Sequence, residues 1–186
     1  MTFALDLTEE QAAIKHAVEE ICAKYDDHYW LNVDNSGDFP DAFVNDIAEG
    51  GWLGVAMPES VGGAGLGLTE AAMMMQVVAA SGAGFSGASA IHLNIFGLMP
   101  IVKFGTPEQQ QRFLPPAING TDKACFAVTE PNSGLDTSSL ETRAERTNSG
   151  YRINGRKIWT TNAQRANKIL IIARTTPKDQ VKRPTE

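Results

Sequence analysis

Only two cysteines, Cys22 and Cys125, occur in 186 residues. They fall in a predicted helix and a predicted strand, far apart and without metal-ligand spacing, which reads as buried thiols of a reducing compartment and not as a disulfide framework. The three histidines, His16, His28 and His92, are scattered and form no ligand cluster, so no metal site is expected. No uninterrupted apolar run reaches the roughly 20 residues that a bilayer-crossing helix needs, and no membrane span is expected. The first eleven residues, M-T-F-A-L-D-L-T-E-E-Q, lack any basic side chain, unlike a secretory or mitochondrial leader, and a cytoplasmic location is the expectation. The basic residues that do occur are not interleaved with stacking aromatics, which argues against nucleic acid as a partner.

What is present is an ordinary globular composition, 42% hydrophobic and 20% charged, enough to bury one good core or two small ones. The charge is unevenly spread. Residues 1–120 hold 4 Lys+Arg against 15 Asp+Glu, a net of −11, while residues 121–186 hold 12 against 7, a net of +5. A basic second part suits an anionic ligand such as a dinucleotide or a CoA phosphate; a solvated face, or one that pairs with an acidic partner segment, fits equally well.

The periodicity changes at the same place. Thr8 and Gln11 form a capping box, and Ile14, Val18, Ile21 and Tyr25 recur at helical spacing, predicting a helix from Glu9 to Tyr25. A short amphipathic segment follows Phe39-Pro40 and ends at Gly50-Gly51, and Trp52 to Pro58 reads as an irregular connection. The Gly62, Gly63, Gly65, Gly67 cluster matches no phosphate-loop spacing and has no strand leading into it, so it reads as a flexible connection. Thr69–Ala80 and Ile91–Val102 are apolar helices, with Met73, Met74 and Met75 as core. The small-residue stretch Ser81 to Ser89 between them permits close backbone packing. Thr106-Pro107-Glu108-Gln109 is a second capping box, whose helix is expected to stop before Leu114-Pro115-Pro116.

From Lys123 the pattern becomes extended. Ala124–Glu130, Leu140–Thr147, Tyr151–Ile153, Arg156–Thr161 and Lys168–Thr175 read as strands, with turns at Asn148-Ser149-Gly150 and Asn154-Gly155. Pro177–Glu186 reads as a loop or frayed tail. The predicted fold class is α+β: an all-α domain over residues 1–120, then an incomplete antiparallel β-domain over residues 121–186.

Two segments of that second part carry chemistry. In C-F-A-V-T-E-P-N-S-G-L-D, Cys125 to Asp136, a strand opens into a hydroxyl-bearing turn; in K-I-W-T-T-N, Lys157 to Asn162, an aromatic precedes two threonines. The hydroxyls of Thr129, Ser133, Thr160 and Thr161, with the backbone groups of Ala127 to Thr129, match the polar edge of a flavin ring. Trp159 would cover one ring face, or else pack under the sheet while the threonines serve β-propensity.

V-T-E-P at Val128 to Pro131, G-x-D at Gly134 to Asp136, I-N-G-x-K at Ile153 to Lys157 and W-T-T-N at Trp159 to Asn162 stand in the order and spacing of one family. The chain closely resembles the acyl-CoA dehydrogenases over essentially its whole length, G-T-P-E-Q-Q at Gly105 to Gln110 included. The resemblance implies FAD as cofactor, with Phe126, Ala127, Val128 and Thr129 lining the flavin and the Thr129 hydroxyl on its pyrimidine side. It places Trp159 on the ring face away from substrate, beside Thr160, and the Thr161 hydroxyl near flavin N5. The turn holding Ser133, Gly134 and Leu135 would lie near the pyrophosphate and the CoA portion of substrate, with Leu135 the substrate-binding position. Part of the acyl pocket would lie near Ser81 to Ser89.

Two departures stand out. Leu135 replaces a common Ser, leaving only backbone donors there, and Phe126 replaces the Tyr of some members. The implied reaction is α,β-desaturation of an acyl-CoA thioester: a carboxylate takes the α-proton while the β-hydrogen leaves as hydride to the flavin. The implied partners are the acyl-CoA substrate, an electron-transfer flavoprotein or another acceptor, and further copies of the full-length chain in a homo-oligomer. Family members are about twice this long, and their base is a Glu of a C-terminal helical domain, so no catalytic residue is assigned here. Glu130 is expected to be structural. The expectation is an N-terminal fragment that holds flavin weakly or not at all and does not turn over by itself. The alternatives are an acyl-CoA oxidase or flavin monooxygenase of the same fold, or a non-catalytic subunit docking through an open sheet edge.

Overall fold

The computed structural model describes residues 7–181 and divides into two compact units, with the boundary in the sequence between Lys123 and Ala124. The first is helical: α1 (Glu9–Cys22), α2 (Asp27–Ser36), α3 (Asp41–Glu49), α4 (Leu68–Val78), α5 (Gly84–Ile95), α6 (Met99–Phe104) and α7 (Pro107–Ile118). The predicted capping boxes start α1 and α7: the Thr8 and Thr106 hydroxyls accept from the Gln11 and Gln109 N–H groups, and each Gln side chain accepts back from the cap N–H. Helix α1 stops at Cys22, one turn before Tyr25. Residues 26–38, unassigned from sequence, hold α2, capped by Asp26 on the Tyr29 N–H and closed by Gly37 in the left-handed region at φ 69°.

The core of this unit is apolar. Val18, Phe43, Ile47, Leu53, Met74, Val78, Ile91 and Ile95 are buried in one cluster, and Tyr25, Trp30 and Phe43 stack edge-on around it. Of the small-residue stretch only Ala83 and Gly87 are buried, while Phe85 is exposed and a Cβ on Gly84 would meet nothing. Ala79–Ala83 forms a π-helical turn broken at Gly82, and a Cβ on Gly87 would lie 3.0 Å from the Trp30 ring. The glycine cluster spends its donors locally: the Gly63, Gly65 and Leu66 N–H groups go to Pro58, Met57 and Val55 carbonyls.

Two expectations for this unit are corrected. Helix α7 runs through Pro115 and Pro116 to Ile118. Burial of Leu114, Ala117 and Ile118 holds the last turn although the prolines remove two backbone donors. The apolar segments Thr69–Ala80 and Ile91–Val102 are parts of a near-continuous helical stretch, Leu68–Phe104. Among the described residues it alone is long and apolar enough to cross a membrane by length and composition; in this fold Ala71, Met74, Val78, Ile91 and Ile95 lie buried in the core.

The second unit has two small sheets. Strands β2 (Arg143–Thr147) and β3 (Gly150–Asn154) form the expected antiparallel hairpin, Arg143 opposite Asn154 and Thr147 opposite Gly150. Strands β1 (Ala124–Ala127) and β4 (Lys168–Ile171) pair in parallel, which corrects the all-antiparallel expectation. A parallel pair needs a long crossover, and residues 128–167 provide it. Arg156–Thr161 is not a strand: Trp159 and Asn162 adopt left-handed backbone at φ 57° and 61°, so the chain turns where β-propensity favours extension. Pro177–Val181 is loop with one 3₁₀ turn, and the rest of the expected tail, 182–186, lies outside the described residues.

Candidate flavin-edge site

Strand β1 ends at Ala127, whose carbonyl accepts from the Ile172 N–H as the last rung of the parallel pair. Beyond it the chain loses its ladder partner and is gripped from elsewhere. The Lys157 ammonium donates to the Val128 carbonyl at 2.7 Å, and the Ile158 N–H donates to the Thr129 carbonyl at 2.9 Å. Two consecutive carbonyls are thus taken by two consecutive residues of the second motif. The Val128 and Thr129 N–H groups and the Thr129 hydroxyl donate to no protein acceptor among the described residues, and both residues are half-buried.

Lys157 also pairs with Glu130 at 2.8 Å, the two side chains only 11% and 5% exposed. The Glu130 carboxylate further accepts the Glu141 N–H at 2.6 Å and the Thr142 N–H at 2.9 Å. Burial alone would raise its pKa; the Lys157 ammonium and these N–H groups outweigh burial and hold it at about 2. So weak a base is unsuited to taking a proton from carbon near neutral pH, and its geometry is that of a strut. Gly155 permits this arrangement, since a Cβ there would collide with the Thr142 side chain and Cα. Arg174 closes the far side, donating to the Leu140 carbonyl at 2.7 Å and to the Ser138 carbonyl.

The turn after Glu130 is tied back to it, with the Glu130 and Ser133 backbones exchanging N–H···O=C bonds. Ser133 is buried and its hydroxyl donates to the Asp136 carbonyl, while Asp136 caps the following turn through Ser138 and Ser139. The Gly134 and Leu135 N–H groups have no protein acceptor among the described residues. A Cβ at Gly134 would meet nothing, and the Leu135 side chain is fully exposed. On the second motif Trp159 is 86% exposed, and its left-handed backbone is a costly conformation for a bulky residue.

Family comparison matches the acyl-CoA dehydrogenase N-terminal domain to residues 8–121 and the acyl-CoA dehydrogenase middle domain to residues 125–185. The chain belongs to the acyl-CoA dehydrogenase family. It is 35% identical to the probable acyl-CoA dehydrogenase YngJ of Bacillus subtilis over 172 residues, 91% of this chain and 44% of that protein. Its fold superposes on the acyl-CoA dehydrogenase of Geobacillus kaustophilus with a TM-score of 0.83 at 27% identity, covering 97% of this chain and 47% of the other. The FAD complex of PigA has the same fold, with a TM-score of 0.85 at 23% identity and coverage of 94% and 46%. The chain thus spans less than half the length of the relatives it matches.

Within this member of the acyl-CoA dehydrogenase family, the structure brings Val128 and Thr129 together with the Trp159, Thr160 and Thr161 segment through the grip of Lys157 and Ile158. Phe126 is half-buried and Ala127 buried in β1, with Ala127 committed to the sheet. Ser133, Gly134 and Leu135 form the adjoining turn, linked through Glu130. Lys157, quoted from sequence only as part of a motif, is the residue missed; its one signal was a cation in an otherwise apolar and hydroxylic run. The helical unit has a separate open groove of roughly 600 Å³ lined by Leu7, Gln11, Leu68, Thr69, Ala72, Met73 and Gln76, none of them titratable. No cluster of metal-ligating side chains exists among the described residues.

Proposed function

We propose that this chain forms the flavin-edge portion of an FAD-dependent acyl-CoA dehydrogenase acting in α,β-desaturation of an acyl-CoA thioester. The observation that carries the reading is the Val128–Thr129 edge, whose carbonyls are both occupied while its N–H groups and hydroxyl remain available beside an exposed Trp159. A donor-rich edge next to an unburied aromatic fits a flat ring with a polar rim. FAD, when bound, would supply the hydride acceptor. Val128 and Thr129 would meet the pyrimidine side, Trp159 would cover the ring face away from substrate, and the Thr161 hydroxyl would approach N5. The free N–H groups of Gly134 and Leu135 suit a phosphate oxygen of the cofactor or of CoA, with Leu135 offering backbone alone. The base that takes the α-proton belongs in this family to a C-terminal helical domain, and Glu130 does not replace it. An electron-transfer flavoprotein is the acceptor this reading favours, and a homo-oligomer its assembled form.

The test is titration with FAD followed by flavin fluorescence, since a stacked indole quenches it. Of the two outcomes expected from sequence, weak binding and none, this donor-rich edge favours the first: weak, saturable quenching that is lost in Trp159→Leu is expected. A folded chain that leaves FAD fluorescence unchanged up to about 1 mM, the concentration at which even millimolar affinity would register, would count against the reading.

A further inference from the structure

Val128 C=O and Thr129 N–H are the two ends of a single peptide group. A cation at the oxygen end withdraws electron density from the nitrogen end and makes its N–H a stronger donor, as in any polarised hydrogen-bond chain. Lys157 holds that oxygen at 2.7 Å from a side chain that is almost fully buried, where water screens the charge little. Glu130 fixes the ammonium at 2.8 Å, and is itself fixed by two backbone N–H groups. The Ile158 N–H on the Thr129 carbonyl prevents the segment from rotating away. The one donor of this segment that the cation addresses is also one that the protein leaves without an acceptor.

We propose that Lys157, fixed by Glu130, is a positioning residue that orients and polarises the Val128–Thr129 peptide so that the Thr129 N–H serves as a strengthened donor to the electron-rich pyrimidine edge of the flavin. The inference rests on the flavin reading above. It assigns to the Lys of the I-N-G-x-K segment a role through the backbone, with no contact to the cofactor. A donor aimed at the edge where negative charge accumulates as the ring accepts a hydride favours the reduced form, so the same contact would raise the potential of the bound flavin.

The experiment compares wild type with Lys157→Met, Lys157→Arg and the double variant Glu130→Gln, Lys157→Met. The double variant removes the buried carboxylate charge together with the cation; its amide oxygen accepts one of the two N–H groups of Glu141 and Thr142 and the other loses its acceptor. That is a smaller cost than the unpaired buried carboxylate that Lys157→Met leaves, so the double variant is expected to fold where Lys157→Met does not. Two quantities are read: the amide-proton chemical shift of Thr129 without ligand, and the dissociation constant for FAD. In the double variant the Thr129 amide proton should move upfield while amides of the helical unit stay in place, and FAD binding should weaken about tenfold, the size of one lost or weakened hydrogen bond. Lys157→Arg should restore most of both. A folded double variant with the wild-type Thr129 shift and wild-type FAD affinity overturns the inference while leaving the flavin reading intact. No FAD binding by wild type itself strikes the flavin reading first, and the inference with it.

Discussion

The two units of this chain are stabilised by different physics. In the helical unit Phe43, Ile47, Leu53, Met74 and Ile91 are fully buried among one another, and stability follows from apolar area removed from water. In the second unit the sheets have two strands each, and the buried apolar residues are mostly small, Ala124, Ala127 and Ala144 among them. Of the four buried polar residues among the described ones, Asn94, Glu130, Ser133 and Thr142, three belong to this unit. There the loops are fixed by charge on carbonyls and by N–H groups on a carboxylate. A core tolerates repacking; a strut of fixed hydrogen bonds sets the position of a backbone edge, which is what a ligand-holding segment requires.

That contrast can be broken at several points. Phe43→Ala should cost the helical unit about 4 kcal/mol, the cost of a deleted core aromatic, seen as a lower urea midpoint in its helical signal. Lys157→Met strands a buried carboxylate and should cost about 3 kcal/mol, with lost amide-exchange protection confined to residues 124–175. Equal loss of protection in both units would show that they are not energetically distinct. Acid separates them too. The Glu130 carboxyl sits at about 2 in the fold against an ordinary 4.5, so its stabilisation is complete above about pH 4.5 and is lost as pH falls toward 2. The second unit should therefore unfold over that window, and Glu130→Gln should flatten the response. Gly155→Ala should cost about 2 kcal/mol through collision with Thr142. Smallest, Thr106→Ala should cost about 1 kcal/mol by removing the α7 cap, read as a small fall in melting temperature.

What could be read from sequence was what is local. The capping boxes at Thr8 and Thr106, the 3.6-residue spacing of α1 and the Asn148-Ser149 hairpin turn are encoded within a few residues, and they appear in the structure. Helix α2 escaped because its apolar residues are few and Trp30 is its one buried residue. The α7 boundary escaped because buried Leu114 and Ile118 override a double proline. The parallel pairing of β1 with β4 and the grip of Lys157 on Val128 join residues tens of positions apart, and no local pattern encodes such contacts. Trp159-Thr160-Thr161 looks extended by composition because aromatic and β-branched residues favour strands; instead the backbone enters the left-handed region at Trp159, directly after Lys157 and Ile158 bond the Val128 and Thr129 carbonyls, and the Trp159 ring stays exposed.

The most direct test is a two-dimensional amide NMR titration of the ¹⁵N-labelled chain with FAD. The account predicts shifts concentrated at Val128, Thr129 and Trp159 to Thr161, with smaller ones at Gly134 and Leu135. A titration that leaves those amides in place, or moves residues lining the groove between α1 and α4 instead, would contradict it.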